Sequence, residues 1–325
     1  MSQLFEPMTI NHLILPNRLV MPPMATAKAD EHDGVTDEAI NYYLERAKYS
    51  KIGLIITEHS YINIQGKAHP GQMSIATDDA ISGLKRLTDC IHGEGVKIFA
   101  QISHAGSATV SDVTGQPPVG PSAIRHPKNK KEIPHAMTAS QIAETTTWFA
   151  EAALRAKKAG FDGAEIHAAH GYLLNQFYSP LYNRRTDEYG PQSVENRTRF
   201  LFEVIAAVRK YVGDDFPLSV RLGGCDYQEG GSTVDDCVEA CRILERSGVD
   251  LIHLTGGMNG FIRPGHSEPG YFSDMSVPVK KAVKTPVLLT GGINTIAQAE
   301  ALIDGHFADM AGVGRAIFKN AHWAD

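Results

Sequence analysis

A chain of 325 residues with 42% apolar and 21% charged side chains has the composition of a globular enzyme, enough for one large domain or two ordinary ones. A formal net charge of -6 gives no electrostatic reason to bind nucleic acid, and no stretch has the uninterrupted apolar run of a membrane span. The opening MSQLFEPMTI lacks the basic start and apolar core of a signal peptide, so the cytoplasm is the expected compartment. None of the four cysteines (Cys90, Cys225, Cys237, Cys241) makes a CxxC pair, so neither a zinc knuckle nor an iron–sulfur cluster is expected.

In chain order, Leu4 to Asn17 holds short apolar segments that suit a lid across the base of a barrel. Arg18 to Met21 reads as a strand ending in Pro22, Pro23, Met24, Ala25 and Thr26. Thr36 caps a helix through Tyr49 with Ala39, Ile40, Tyr43 and Ala47 on one face. Leu54 to Thr57 is an apolar strand of the doubly buried kind, followed by a helix from about Asp78 to Gly93. Lys97 to Ile102 is the third strand, and the long proline-rich loop after it, through Pro134, is expected to be functional or to form a short hairpin. Thr138 starts a long helix ending at Gly160. Ala164 to Ile166 is strand four, with helical periodicity resuming only near Val194 and running to Tyr211. Further strands fall at Leu218–Leu222, Leu251–Thr255, Val287–Thr290 and Met310–Val313, with helices at Thr233–Arg246, Val277–Val283 and Thr295–Asp304. Eight alternations predict an α/β fold, a (β/α)8 TIM barrel with residues 1–325 as one domain. A doubly wound open sheet would place GxGxxG after its first strand, and none is there.

Strand four ends in His167, Ala168, Ala169, His170, Gly171 and Tyr172, so two imidazoles and a phenol crowd the carboxyl end of a buried strand, where barrels carry catalytic groups. Any one histidine there reads most simply as a structural residue; the spacing of three lets a single turn aim all three rings into one cleft. HxxH without a third ligand does not make a zinc site, so no metal is expected. Two glycine punctuations close the chain, Gly291-Gly292 after strand seven and Gly314-Arg315 after strand eight, the corner where barrels often bind phosphate. Gln101 and Arg221 stand at the ends of strands three and five. From the residues alone, ion pairing or strand-end solvation is the simpler reading of both.

The string HAAHGYLLNQFYSPLYNRRTDEYG with ENRTRF, together with PNRLVMPPMAT, QISHAG, VRLGG, TGGI and GVGRAIF in that family's order, resembles the old yellow enzyme family of flavin-dependent ene-reductases over nearly the whole chain. The resemblance implies FMN as cofactor, NADPH or NADH as reductant and a small enone-type substrate. It implies that Pro23, Met24, Ala25 and His59 border the flavin and that Gln101 and Arg221 meet its pyrimidine edge. Gly291, Gly292, Gly314 and Arg315 would hold the phosphate. His167 and His170 would grip the substrate carbonyl, and Tyr172 would donate the proton. Three departures stand out. Ala25 fills a place often held by Thr or Cys, with Thr26 next. Met258-Asn259-Gly260-Phe261 replaces a stretch that carries a His in dienoyl-CoA-reducing relatives, although His266 is nearby. The chain also ends at Trp323-Ala324-Asp325, before a last helix of the usual length. Alternatives left open are a 2,4-dienoyl-CoA reductase-like barrel, a phosphate-binding lyase or isomerase, and a non-catalytic FMN barrel. A homo-oligomer also stays open.

Overall fold

The computed structural model describes residues 2–324. Eight parallel strands alternate with eight helices. The strands are β1 (Leu19–Met21), β2 (Leu54–Ile56), β3 (Lys97–Ser103), β4 (Gly163–Ala168), β5 (Leu218–Cys225), β6 (Leu251–Gly256), β7 (Val287–Thr290) and β8 (Met310–Gly312). The helices that follow them are α1 (Asp37–Tyr49), α2 (Ala80–His92), α3 (Ala139–Lys158), α4 (Val194–Val212), α5 (Val234–Arg246), α6 (Ser273–Ala282), α7 (Ile296–Asp304) and α8 (Arg315–Lys319). β8 pairs with β1, β1 with β2 and β2 with β3, so the eight strands close as the expected (β/α)8 barrel.

The chain's Ser/Thr punctuation explains where most helices begin. Thr36, Thr138, Ser193, Thr233 and Thr295 are extended, and each side chain accepts the N–H three residues on. Thr138 and Thr233 complete the reciprocal capping box. The base is plugged as expected. Met8–Ile10 and Leu13–Leu15 form an antiparallel hairpin whose Ile10, Leu13 and Leu15 pack with Val20, Leu54, Ile56, Phe99, Leu251, Leu288 and Met310 inside the barrel. Phe99 is fully buried there, against the bare backbone of Gly163, where a Cβ would sit 2.6 Å from the ring.

Three expectations need correction. The stretch after strand four is not one long loop, because Leu173–Tyr178 forms a helix with all six residues buried. α6 begins at Ser273 rather than Val277, and Pro278 lies inside it. The long excursion after β3 makes no hairpin. Val119–Gly120 and His135–Ala136 pair in parallel, with a short helix, Ser111–Thr114, before them.

The barrel interior above the hydrophobic plug is polar. Strand register sets Gln101 beside Glu165, Glu165 beside Ser219, and Arg221 between His167 and His253. The apolar plug is therefore what holds the barrel together, and its largest member is the clearest test. Phe99→Ala should cost about 3–5 kcal/mol, read in urea as a lower midpoint with unchanged slope; an unchanged midpoint would show that the plug carries no such weight.

Candidate active site

At the carboxyl ends of the strands opens a cavity of about 1000 Å³, its mouth included. Every residue given a catalytic or cofactor-binding role from the sequence lies on its wall. β1 leads into Pro23, Met24 and Ala25; His59 follows β2; Gln101 and Arg221 stand in β3 and β5. His167, His170 and Tyr172 come from β4 and the turn after it, while Gly291, Gly292, Gly314 and Arg315 follow β7 and β8.

The rings form one cluster. His167 lies 5.3 Å from His170, 5.0 Å from Tyr172 and 6.1 Å from His59, measured between ring centroids. Burial holds His167 and His170 well below the usual imidazole range, with the Arg221 charge adding to it. Burial, then His69, Lys128 and Arg221, take His59 down to about 3. All three are neutral near pH 7. Burial also lifts Tyr172 to about 12, so its phenol keeps its proton. Hydrogen bonds then set which ring nitrogens are free. Gln72 Oε1 accepts from Ala68 N–H, which turns its amide nitrogen to donate to His59 Nδ1 at 2.6 Å. His59 Nε2 therefore carries the proton. Thr255 Oγ1 takes up His170 Nε2 at 3.0 Å, leaving only Nδ1 for a ligand.

The floor tests whether a flavin suits this chain. Gln101 Nε2 donates to Glu165 Oε1 at 2.8 Å, and its own Oε1 is buried with no partner. Arg221 is 5% exposed, its Nε has no partner, and among the described residues no carboxylate lies within ion-pair distance of it. Burial lowers its pKa to about 10. An orphaned amide acceptor beside an unpaired guanidinium matches an imide N–H flanked by carbonyl oxygens, the edge an isoalloxazine presents. At the corner, Gly291 and Gly292 have φ of 111° and 70°, and a Cβ there would meet the Tyr271 ring at 2.7 Å and Glu268 O at 2.4 Å, respectively. Only glycine fits. Among the described residues Arg315 has no carboxylate partner, and it touches Tyr271 Oη through Nη2 at 3.4 Å. The residues present fit FMN.

The departures acquire structural content. Thr26 is no substitute for a polar residue at Ala25, because its N–H and hydroxyl both donate to the buried Glu58 carboxylate. Phe261 lines the cavity from the loop after β6, whereas His266 pairs with Glu268 away from it. Lys128, Tyr271, Thr255 and Gln72 were missed from the sequence; each comes from a segment with no local motif. Lys128 belongs to the excursion after β3 yet reaches the cavity.

Fold and site together define a (β/α)8 barrel whose cavity suits a phosphate-bearing, planar cofactor. A family model described as NADH:flavin oxidoreductase / NADH oxidase matches residues 3–325, and the chain belongs to that family. FMN is its cofactor, which displaces the lyase and isomerase alternatives. It is 38% identical to an NADH oxidase of Thermoanaerobacter brockii over 98% of this chain and 50% of that protein. It is 39% identical to an NADPH dehydrogenase of Halalkalibacterium halodurans over 99% of this chain and 92% of that one. The chain thus spans about half the length of some curated relatives and nearly all of others. Among solved structures it resembles a 2-naphthoyl-CoA reductase in complex with 2-naphthoyl-CoA (TM-score 0.92, 31% identity, 98% of this chain and 51% of that one). It also resembles the old yellow enzyme homologue from Zymomonas mobilis (TM-score 0.86, 29% identity, 98% and 90%).

Arg315→Ala should lower the FMN retained per chain after gel filtration by about tenfold in apparent affinity, the scale of one charge-assisted contact. The circular dichroism of the barrel should be unchanged. Full retention would assign Arg315 to packing alone.

Proposed function

We propose that the chain is a single FMN-binding domain that reduces the activated C=C bond of small α,β-unsaturated carbonyl compounds. The observation that carries this reading is the placement of two neutral imidazoles and a protonated phenol in one ring cluster beside the flavin-shaped floor. Gln101 and Arg221 would hold the pyrimidine edge of FMN, Pro23, Met24, Ala25 and His59 would border its ring, and Gly291, Gly292, Gly314 and Arg315 would hold its phosphate. When bound, FMN supplies the redox step, taking a hydride from NADH or NADPH and giving one to the alkene.

The protein's own residues do the rest. His167 and His170, as neutral donors, hold the carbonyl oxygen where negative charge accumulates as the β-carbon accepts hydride. Thr255 Oγ1 is within hydrogen-bond distance of His170 Nε2, and with the hydroxyl as donor it would leave Nδ1–H to face the substrate. Tyr172 delivers its proton to the α-carbon, and burial keeps it protonated until that moment. The same histidines could not serve as cations, since burial and Arg221 hold them neutral. The free cysteines, three of them buried, agree with a reducing cytoplasmic setting.

Two tests follow from the assignment. Tyr172→Phe removes one hydroxyl, so reduction by NADPH should change little while reduction of 2-cyclohexenone slows roughly 10²–10⁴-fold. Stopped-flow traces of the two half-reactions decide it, and equal slowing of both would make Tyr172 a packing residue. The pKa directions give the second. With His167 and His170 held far below 6.5 and Tyr172 raised to about 12, enone reduction should show no limb from these groups between pH 6 and 9. A loss of rate on acidification through 6.5 that disappears in His170→Asn would mean the imidazole titrates where it was placed as neutral.

A further inference from the structure

Lys128 is the cation of the cavity with no assigned duty. The chain carries a net charge of -6, yet the cavity wall bears Lys128, Arg221 and Arg315 and no carboxylate. Arg221 and Arg315 would face the pyrimidine edge and the phosphate of FMN. Lys128 enters from the excursion after β3, on the side of the catalytic rings. Its Nζ donates to His170 O at 3.0 Å and lies 5.3 Å from the Tyr172 ring centroid. An ammonium has three protons. One is used by that carbonyl, and among the described residues nothing accepts the other two and no Asp or Glu pairs with it. The neighbouring Lys131, by contrast, is paired with Asp112.

The position is built. His126 is 1% exposed, and its Nδ1 accepts the Lys128 N–H at 3.1 Å, fixing the turn that presents the lysine. Its Nε2 packs over Gly171, where a Cβ would stand 2.7 Å away. The turn is thus seated on the loop that carries His170 and Tyr172. A cleft of one sign with apolar walls concentrates ligands of the other sign.

Resting on the alkene-reduction reading above, we propose that Lys128 selects substrates with a negative charge on the carbonyl side of the alkene, such as α,β-unsaturated 2-oxo acids. The reaction is balanced as R–CH=CH–CO–COO⁻ + NAD(P)H + H⁺ → R–CH₂–CH₂–CO–COO⁻ + NAD(P)⁺. Hydride forms the new C–H bond at the β-carbon, the proton forms the one at the α-carbon, and the C=C π bond is broken. Lys128 binds the carboxylate and takes no part in the bond changes.

The test reads a ratio, so any general disturbance divides out. Dissociation constants of 3-hydroxybenzoate and its methyl ester, which cannot be reduced, are measured on oxidised holoenzyme from the change in flavin absorbance. Lys128→Met should reduce the preference for the anion over the ester about tenfold or more, and Lys128→Arg should restore most of it. The ratio of kcat/KM for 4-phenyl-2-oxobut-3-enoate and its methyl ester, with NADPH, should fall in parallel. An unchanged binding ratio in Lys128→Met overturns the proposal. So does an unchanged ratio accompanied by slower flavin reduction by NADPH, which would assign the cation to the nicotinamide's phosphates. If the binding ratio collapses but wild-type enzyme reduces neither the oxo acid nor the ester, the anion site stands and the alkene-reduction reading falls.

Discussion

Everything at the floor of this cavity hangs on one buried carboxylate. Glu165 is fully buried, and it accepts from Gln101 Nε2 at 2.8 Å and Ser219 Oγ at 2.9 Å, with His253 Nδ1 at 2.9 Å. Burial alone would raise its pKa; neighbouring His253 and Arg221 and the Ser219 hydroxyl outweigh that and hold it below the usual range. An ionised Glu165 does two things for the site. It claims the Gln101 amide nitrogen, which leaves the amide oxygen facing the cavity. It also gives the buried Arg221 guanidinium a nearby countercharge without a direct ion pair, so the guanidinium stays available. Such a carboxylate needs a closed barrel, because only there do β3, β4, β5 and β6 bring its partners to one level.

The barrel and the outline of the site were legible because strand ends are conspicuous. Most inner strands are short apolar runs that stop at or near a Pro, His, Gln, Gly or Arg, and Pro22, His59, Gln101, His167, Arg221, Gly291 and Gly312 among these line the cavity. Leu173–Tyr178 was illegible for the opposite reason. A helix with all six residues buried has no solvent-facing side, so no period of 3.6 exists to be read. The excursion after β3 misled in another way. Its two short strands are separated by fourteen residues and pair in parallel, which no hairpin signal describes.

Residues that act through others were illegible altogether. Gln72 matters only because its amide fixes the His59 tautomer, and Thr255 only because it occupies one nitrogen of His170. Neither fact is local in sequence; His170 and Thr255 are 85 positions apart. Thr26 is the instructive reverse. It stands next to Ala25 and invites a role toward the flavin, but Glu58 takes both its N–H and its hydroxyl. A polar residue beside a site belongs to it only if its hydrogen bonds are still free.

The turn holding His170 explains why the missed helix is there. His170 and Gly171 have φ of 59° and 73°, and a non-glycine residue held left-handed costs on the order of 1–3 kcal/mol unless its surroundings fix it. Here they do. Asn175 Oδ1 accepts the Gly171 N–H at 2.8 Å, and Gln176 Nε2 donates to Gly171 O at 2.7 Å. Both come from Leu173–Tyr178, whose first turn bends them back onto the loop. Gln176 also donates to Ala105 O at 3.0 Å and accepts from Ser107 N–H at 3.0 Å, while Leu173 N–H donates to His104 O at 3.0 Å. One short helix therefore ties the loop after β4 to the loop after β3. That is why a buried helix follows this turn: it satisfies the polar backbone that the strained turn leaves over, and so keeps both imidazoles and the phenol on the wall of one cavity.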